Sequence, residues 1–154
     1  MKYAAVMDSP IGFLTLVEEN GALCELRFGE CSNGLLICET PLLKQAIREL
    51  DEYFSGWRKC FTVPLNPQGT PFQQRCWEAL LQIPYGETRT YAQQAAMLGN
   101  PKACRAVGMG NHRNPLPIFI PCHRVVGSNG KLTGYAGGLD IKEKLLTIER
   151  MDQP

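Results

Sequence analysis

Cysteine chemistry is the first possibility that this sequence offers. Among 154 residues with seven cysteines, Cys122 stands between Pro121 and the pair His123-Arg124. An ordinary cysteine has a pKa of about 8.5, so a reactive thiol needs a proton acceptor or a positive environment. His123 can supply the acceptor and Arg124 the positive charge. The segment therefore predicts a nucleophilic thiol at Cys122.

Two distant residues are expected to support this thiol. A carboxylate that holds one nitrogen of an imidazole raises the basicity of the other, and we assign that role to Glu149. Neighbouring side chains of an extended strand point to opposite faces, so His123 reaches the sulfur of Cys122 only if the chain turns there or through a water. We expect the arrangement through a water. Asn114 is expected to fasten the turn with side-chain hydrogen bonds to the backbone.

The segments on either side of the thiol predict a rigid pocket. Residues 116–120 have the pattern of an extended apolar segment that is buried on both sides and ends at the reactive tetrapeptide. Glycine-rich loops at 127–130 and 133–138 follow it. Small residues around Ala136 leave room for a flat ligand, and Tyr135 can line its edge.

The first half of the chain predicts a small α+β domain, residues 1–66, with no evident chemistry. Thr40 and Pro41 combine a helix N-cap with the first helical position, and that helix should close at Gly56. A loop-like stretch over 64–71 predicts the domain boundary. Alternating segments separated by turns predict an antiparallel meander of three strands. The predicted strands are Tyr3–Met7, Gly12–Glu18 and Leu23–Phe28.

The second half, residues 67–154, predicts a mostly helical domain. A second Thr-Pro signal opens a helix from residue 70, and two short helices joined by a Gly-Asn-Pro turn look like a helix-turn-helix. The last of these helices carries Arg105 as its one long side chain among small residues. Its backbone is therefore expected to approach another surface closely. The predicted helices run through Leu81, over Tyr91–Leu98, and from Lys102 to about Gly110.

Charge is divided unevenly between the two halves. Residues 1–66 carry six Lys/Arg and nine Asp/Glu, whereas residues 67–154 carry ten and six. The net charges are therefore −3 and +4. This balance makes the second half the candidate surface for a polyanion, although chance asymmetry explains the charges equally well.

The cysteine and histidine pattern favours a reduced, metal-free protein. The cysteine count is odd, there is no Cys-x-x-Cys pair, and the only histidines are His112 and His123. We expect free thiols, no metal and a cytoplasmic location. No apolar run reaches the roughly 18 residues of a membrane helix, and the N-terminus lacks the zones of a signal peptide.

Four short motifs together resemble one family. They are RAVG at 105–108, NP at 114–115, PCHRV at 121–125 and GYAGG at 134–138. This pattern is similar to the O6-alkylguanine-DNA alkyltransferases, also called methylated-DNA-protein-cysteine methyltransferases. The resemblance is strong over 70–149 and fainter over 1–69.

The resemblance implies an α+β protein with a ribonuclease-H-like N-terminal domain and a winged helix-turn-helix C-terminal domain. It implies that Cys122 accepts an alkyl group from the O6 position of guanine in double-stranded DNA, and less readily from the O4 position of thymine. The target base would be flipped out of the duplex. The protein would act once, without a cofactor and as a monomer.

The resemblance also implies a role for each matching residue. His123 would act as a base through a water, with Glu149 behind it and Asn114 shaping the turn. Tyr91 would push the target phosphate and aid protonation of the leaving guanine, and Arg105 would enter the duplex from the minor groove. The base pocket would involve Val125, Tyr135 and Ala136, and the DNA backbone contacts would involve Gln73, Ala92, Asn100 and Ser128.

Two other functions compete with alkyl transfer. A lesion-binding module would recognise alkylated DNA without repairing it, but the related proteins of that kind have Trp where this chain has Cys122. A cysteine hydrolase would turn over repeatedly, but the sequence has no hydrolase elbow. One departure concerns the segment 111–113, Asn-His-Arg, where family members vary and often carry smaller or apolar residues. His112 and Arg113 are therefore candidates to alter pocket or phosphate contacts.

Overall fold

A computed structural model describes residues 1–151 of the chain. Contacts between Cα atoms divide the chain into an N-terminal unit, Met1–Gln68, and a C-terminal unit that begins at Gly69. Within the described residues, no helix is both long enough and apolar enough to cross a membrane.

The N-terminal unit is built on a four-stranded sheet. Its strands are β1 (Lys2–Met7), β2 (Leu14–Glu19), β3 (Ala22–Phe28) and β4 (Leu36–Ile37), in the order β3-β2-β1-β4. The first three pair antiparallel, which confirms the predicted meander. Asn20 and Gly21 both have positive φ, at 54° and 80°, as a tight two-residue hairpin requires. The parallel strand β4 was not predicted, because two exposed residues show no alternation.

One helix, α1 (Pro41–Phe54), provides the rest of the core of this unit. The Thr40 side chain accepts a hydrogen bond from the backbone N–H of Leu43 at 3.1 Å, and Pro41 opens the helix as predicted. The helix ends just before Gly56, whose φ of 89° suits only glycine. Its apolar face is fully buried at Leu43, Ala46, Leu50 and Tyr53.

The C-terminal unit is mostly helical. It contains α2 (Pro71–Leu81), β5 (Arg89–Thr90), α3 (Tyr91–Met97), α4 (Cys104–His112), β6 (Val125–Val126) and α5 (Leu139–Met151). Strands β5 and β6 pair in parallel. The two units together confirm the α+β fold class. The predicted helices α2 and α3 are present, and each begins behind a threonine that closes a capping box.

Two expectations about this unit are wrong, and one helix was not predicted. Helix α4 starts at Cys104 instead of Lys102, because residues 101–102 form a turn and Ala103 caps the helix without a side-chain bond. Residues 116–120 are buried but not extended: Ile118 has a φ of 75°, and the N–H of Ile120 donates to the carbonyl of Leu116 at 2.8 Å. Helix α5 was not predicted, because buried charges interrupt its apolar face.

Candidate active site

The reactive tetrapeptide lies on a turn. Residues Cys122–Arg124 form one turn of 3-10 helix that begins directly after the buried Pro121. The N–H of Cys122 donates to the carbonyl of Ile120 at 2.8 Å, and the N–H of Arg124 donates to the carbonyl of Pro121 at 3.1 Å. The chain therefore turns where the sequence predicted a strand end. As a result, the side chains of His123 and Arg124 both reach the same residue of α5.

Asn114 holds this turn together. Its side-chain N–H donates to the carbonyl of Ile120 at 2.8 Å, and its Oδ1 accepts from the N–H of Leu116 at 2.9 Å. The same side chain also hydrogen-bonds the thiol of Cys122. Asn114 is almost completely buried, so these bonds are shielded from water. It fixes the backbone before the thiol and contacts the sulfur itself.

Glu149, on α5, is the centre of a buried charge cluster. His123 Nε2 lies 2.5 Å from Glu149 Oε2, and Arg124 donates from Nε to Oε1 at 2.8 Å and from Nη2 to Oε2 at 3.2 Å. Another Arg124 nitrogen donates to the carbonyl of Ile83 at 2.7 Å. The His123 and Glu149 side chains are completely buried, and Arg124 is 7% exposed. Glu149 therefore contacts the imidazole as predicted, and Arg124 pairs with Glu149 rather than with the thiol.

The electrostatics of this cluster favour a neutral imidazole beside an ionised carboxylate. Burial alone would raise the pKa of Glu149, but the bonds and charges of His123 and Arg124 outweigh it and lower that pKa to about 2. Burial lowers the pKa of His123, against the opposing effect of Glu149. Nε2 therefore carries the proton that bonds the carboxylate, which leaves Nδ1 as the basic nitrogen. Nδ1 is buried and has no hydrogen-bond partner among residues 1–151.

The Cys122 thiol is poorly acidic in this state. Burial raises its pKa to about 11, although the Asn114 hydrogen bond, the Lys142 charge and its own backbone N–H act in the opposite direction. Lys142, on α5, is completely buried, and its Nζ donates to the carbonyl of Thr133 at 2.7 Å. Sequence reasoning missed Lys142. The signal available was a lysine at helical spacing from Leu145, Leu146 and Glu149 on one face of α5.

A small cavity of about 70 Å³ adjoins Cys122. Tyr91 closes one side, with its hydroxyl 3.3 Å from the carbonyl of Thr133 and 3.2 Å from the hydroxyl of Thr133. The predicted pocket residues Tyr135 and Ala136 line it, whereas Val125 is completely buried in β6 and does not. The lining residues are Tyr91, Gly108, Asn111, His112, Cys122, Gly134, Tyr135 and Ala136.

The residues predicted to bind DNA are mostly exposed. Ala92, Asn100, Arg105 and Ser128 are accessible, while Gln73 is partly buried and its side-chain oxygen accepts from the N–H of Thr70 at 3.0 Å. Arg105 shares an exposed face of α4 with Met109 and His112, because the three are spaced four and three residues apart. Met109 is 66% exposed, and the sequence analysis did not single it out.

The small residues of α4 serve internal packing more than expected. A Cβ at Gly110 would lie 2.9 Å from the sulfur of Cys76 on α2, and the Gly110 carbonyl accepts from the indole N–H of Trp77 at 3.0 Å. Asn111 and Gln94 exchange two buried amide hydrogen bonds of 2.9 and 2.7 Å, which join α4 to α3. Gly110 therefore packs against α2, inside the unit.

The described residues contain no cluster of three or more His, Cys, Asp or Glu side chains that could hold a metal ion. The groups available at the site are therefore the thiol, the imidazole-carboxylate pair, the buried lysine and two tyrosines. Together they can remove a proton from a sulfur beside a small cavity.

Comparison with known proteins gives consistent matches over both units. A family model described as "6-O-methylguanine DNA methyltransferase, ribonuclease-like domain" matches residues 2–67. A second model, for the DNA binding domain of the same family, matches residues 71–151. A methylated-DNA-protein-cysteine methyltransferase of Methanosarcina acetivorans is 49% identical over 96% of this chain and 97% of its own length. The constitutive enzyme of that name from Bacillus subtilis is also 49% identical, over 98% of this chain and 97% of its own length.

Solved structures agree with these matches. The crystal structure of the Mycobacterium tuberculosis O6-methylguanine methyltransferase has a TM-score of 0.92 and 44% identity, over 100% of this chain and 96% of that one. A structure of the M. tuberculosis protein in complex with DNA has a TM-score of 0.91 and 45% identity, over 99% and 95%. The resemblance carried by the four sequence motifs is thereby confirmed. The chain belongs to the 6-O-methylguanine DNA methyltransferase family.

Proposed function

We propose that this protein repairs double-stranded DNA by transferring an alkyl group from the O6 position of guanine, and less readily from the O4 position of thymine, to Cys122. It would act once, as a monomer and without a cofactor. The observation that carries the proposal is the position of Cys122, which lines a small cavity and adjoins the buried pair of His123 and Glu149. The names of the relatives describe transfer of a methyl group from methylated DNA to a protein cysteine.

The first step is removal of the thiol proton. With a pKa of about 11, only about one Cys122 in ten thousand is ionised at pH 7. A base must therefore act at the moment of transfer. The basic Nδ1 of His123 takes the proton through a bridging water, and the ionised Glu149 stabilises the imidazolium that forms. The buried Lys142 stabilises the negative sulfur.

The transfer itself exchanges one bond for another. The sulfur of Cys122 forms a bond to the alkyl carbon while the bond between that carbon and O6 breaks. The electron pair of the broken bond stays on the guanine. The guanine then takes up one proton, so a thiol and an alkylguanine become a thioether and guanine. Tyr91, at the edge of the cavity, is placed to assist that protonation. A thioether has no good leaving group, so each molecule reacts once.

Access to the alkyl carbon requires the base to leave the duplex. Extruding a base costs a few kcal/mol of stacking and pairing, and an inserted side chain offsets part of that cost. Arg105 projects from the exposed face of α4, the helix that also supplies part of the cavity lining. We assign the insertion to Arg105, and the backbone contacts to Gln73, Ala92, Asn100 and Ser128.

Mass spectrometry of the intact protein and its peptides tests this function. The full chain is mixed with a stoichiometric duplex containing O6-methylguanine, alongside Cys122→Ser and a control, Cys104→Ser, which removes another partly buried thiol of the same unit. We expect one methyl group on Cys122 in the wild type and in the control, and none in Cys122→Ser. Binding of the duplex without any methyl transfer would favour a lesion-binding module instead. Repeated turnover would also contradict the proposal.

A further inference from the structure

One wall of the cavity differs from the others in how it is held. His112 is the last residue of α4 and lines the cavity together with Cys122. It is exposed, and its side chain makes no hydrogen bond or ion pair with any residue in the range 1–151. An exposed side chain of this kind changes rotamer within nanoseconds. His112 can therefore move without breaking an interaction.

The other long lining side chains are more constrained. Asn111 is fixed by its two amide hydrogen bonds to Gln94, and the Tyr91 hydroxyl lies within hydrogen-bond distance of Thr133. Tyr135 is partly buried, and Cys122 is fixed by its turn. The remaining lining residues are Gly108, Gly134 and Ala136, which have little or no side chain to move.

The size of the cavity makes that difference important. A cavity of about 150 Å³ accommodates a benzene molecule, and this one has about half that volume. The flipped base alone is larger than benzene, so the cavity must widen for any substrate, and it must widen further for a bulky alkyl group. Moving His112 is the change that breaks the fewest contacts.

We propose that His112 is the adjustable wall of the acceptor cavity and sets the upper size of the alkyl group that Cys122 accepts. This inference rests on the proposed function. A methyl group adds little to the space that the flipped base needs beside the sulfur. A larger group such as benzyl must displace the imidazole further, so the wild type discriminates against it.

A competition experiment measures this discrimination directly. The full chain reacts with an equimolar mixture of two duplexes that differ only in carrying O6-methylguanine or O6-benzylguanine. Intact-protein mass spectrometry then gives the ratio of benzyl to methyl on the protein. Because pocket contacts of about one carbon discriminate by roughly tenfold or more, we expect His112→Ala to raise that ratio by about tenfold. His112→Trp should lower it below the wild-type value.

The neighbouring residue provides the matched control. Arg113 is also exposed at the end of α4 but does not line the cavity, so Arg113→Ala should leave the ratio within about twofold of wild type even if DNA binding weakens. If the wild type accepts methyl but His112→Ala leaves the ratio unchanged or lowers it, the inference about His112 is overturned and the proposed function is not. A wild type that accepts neither group would overturn the proposed function together with this inference.

Discussion

The N-terminal and C-terminal units each bury one glutamate completely, but the two carboxylates have different kinds of partner. Glu49, on α1, accepts from the N–H and hydroxyl of Thr62 at 2.8 and 2.7 Å, from the N–H of Val63 at 3.2 Å and from Gln45 at 2.8 Å. All of these donors are neutral. Glu149 instead accepts from a guanidinium and from an imidazole, His123.

This difference separates a carboxylate that only anchors the fold from one that can support proton transfer. The donors around Glu49 keep their protons at every ordinary pH, so the carboxylate joins α1 to residues 62–63 and does nothing more. The imidazole beside Glu149 has a second nitrogen that can accept a proton. Burial and complete hydrogen bonding are thus common to both glutamates, and only Glu149 has the titratable partner that the proposed proton transfer requires.

The largest effect is expected from breaking the charged pair. Arg124→Met leaves Glu149 buried without its guanidinium, and loss of one partner from a buried ion pair costs about 3–5 kcal/mol. Thr62→Val removes only one hydrogen bond from Glu49, donated by a neutral hydroxyl to the carboxylate, which costs about 2 kcal/mol. Urea denaturation at neutral pH measures both losses in free energy of unfolding.

An exposed ion pair supplies the reference for these values. Arg27 and Glu25 are 30% and 32% exposed, and such pairs contribute about 1 kcal/mol or less. Arg27→Met should therefore cost less than either buried variant. Equal losses in Arg124→Met and Thr62→Val would contradict the distinction between a charged and a neutral set of partners.

The next effect concerns the rate of alkyl transfer. Glu149→Gln keeps a hydrogen-bond acceptor but removes the negative charge that stabilises the His123 imidazolium, so we expect a loss of about 100-fold. Glu49→Gln should leave the rate within about twofold, because Glu49 contacts only structural donors. Quenched single-turnover reactions with the O6-methylguanine duplex measure both rates. A similar fall in the two variants would mean that the effect comes from the loss of a buried charge in general.

The elements that sequence reasoning found share a local cause. The Asn20-Gly21 hairpin and the Thr-Pro helix starts at 40–41 and 70–71 depend on residues next to one another in the chain. The pairing of His123 with Glu149 was also expected, from chemistry and from the resemblance. Local signals of this kind do not depend on how the rest of the unit packs.

The features that sequence reasoning missed depend on tertiary contacts. Lys142 is buried because it bonds the Thr133 carbonyl and lies near the thiol, so its charge interrupts the apolar face by which α5 could be recognised. An apolar run fits a buried turn as well as a buried strand, so residues 116–120 gave no sign that Ile118 adopts a positive φ. Arg124 was assigned to the thiol because adjacency in sequence does not show which residue a side chain reaches.

The most gradual effect is the pH dependence of stability, and its sign is the same for both glutamates. Burial would raise the pKa of Glu49, but its four hydrogen bonds outweigh burial and lower it, as the cluster lowers that of Glu149 to about 2. Below the ordinary glutamate pKa of 4.5, these carboxylates bind protons in the unfolded chain but remain ionised in the folded chain. The contribution of each glutamate is therefore full above that pH and falls with acid. Each group adds at most about 1.4 kcal/mol per pH unit to the slope.

The two glutamine variants assign this slope to its sources. Glu149→Gln should reduce the loss of unfolding free energy between pH 4.5 and about pH 2. Glu49→Gln should reduce that loss only between pH 4.5 and the folded pKa of Glu49. His123 adds a component of the same sign from about its ordinary value of 6.5 downward, because the buried imidazole has a lowered pKa. Of the two substitutions, Glu149→Gln alone should change that component, since Glu49 does not contact the ring. Urea titrations from neutral pH into acid provide the curves, and parallel curves for the two variants would show that the imidazole is not coupled to Glu149.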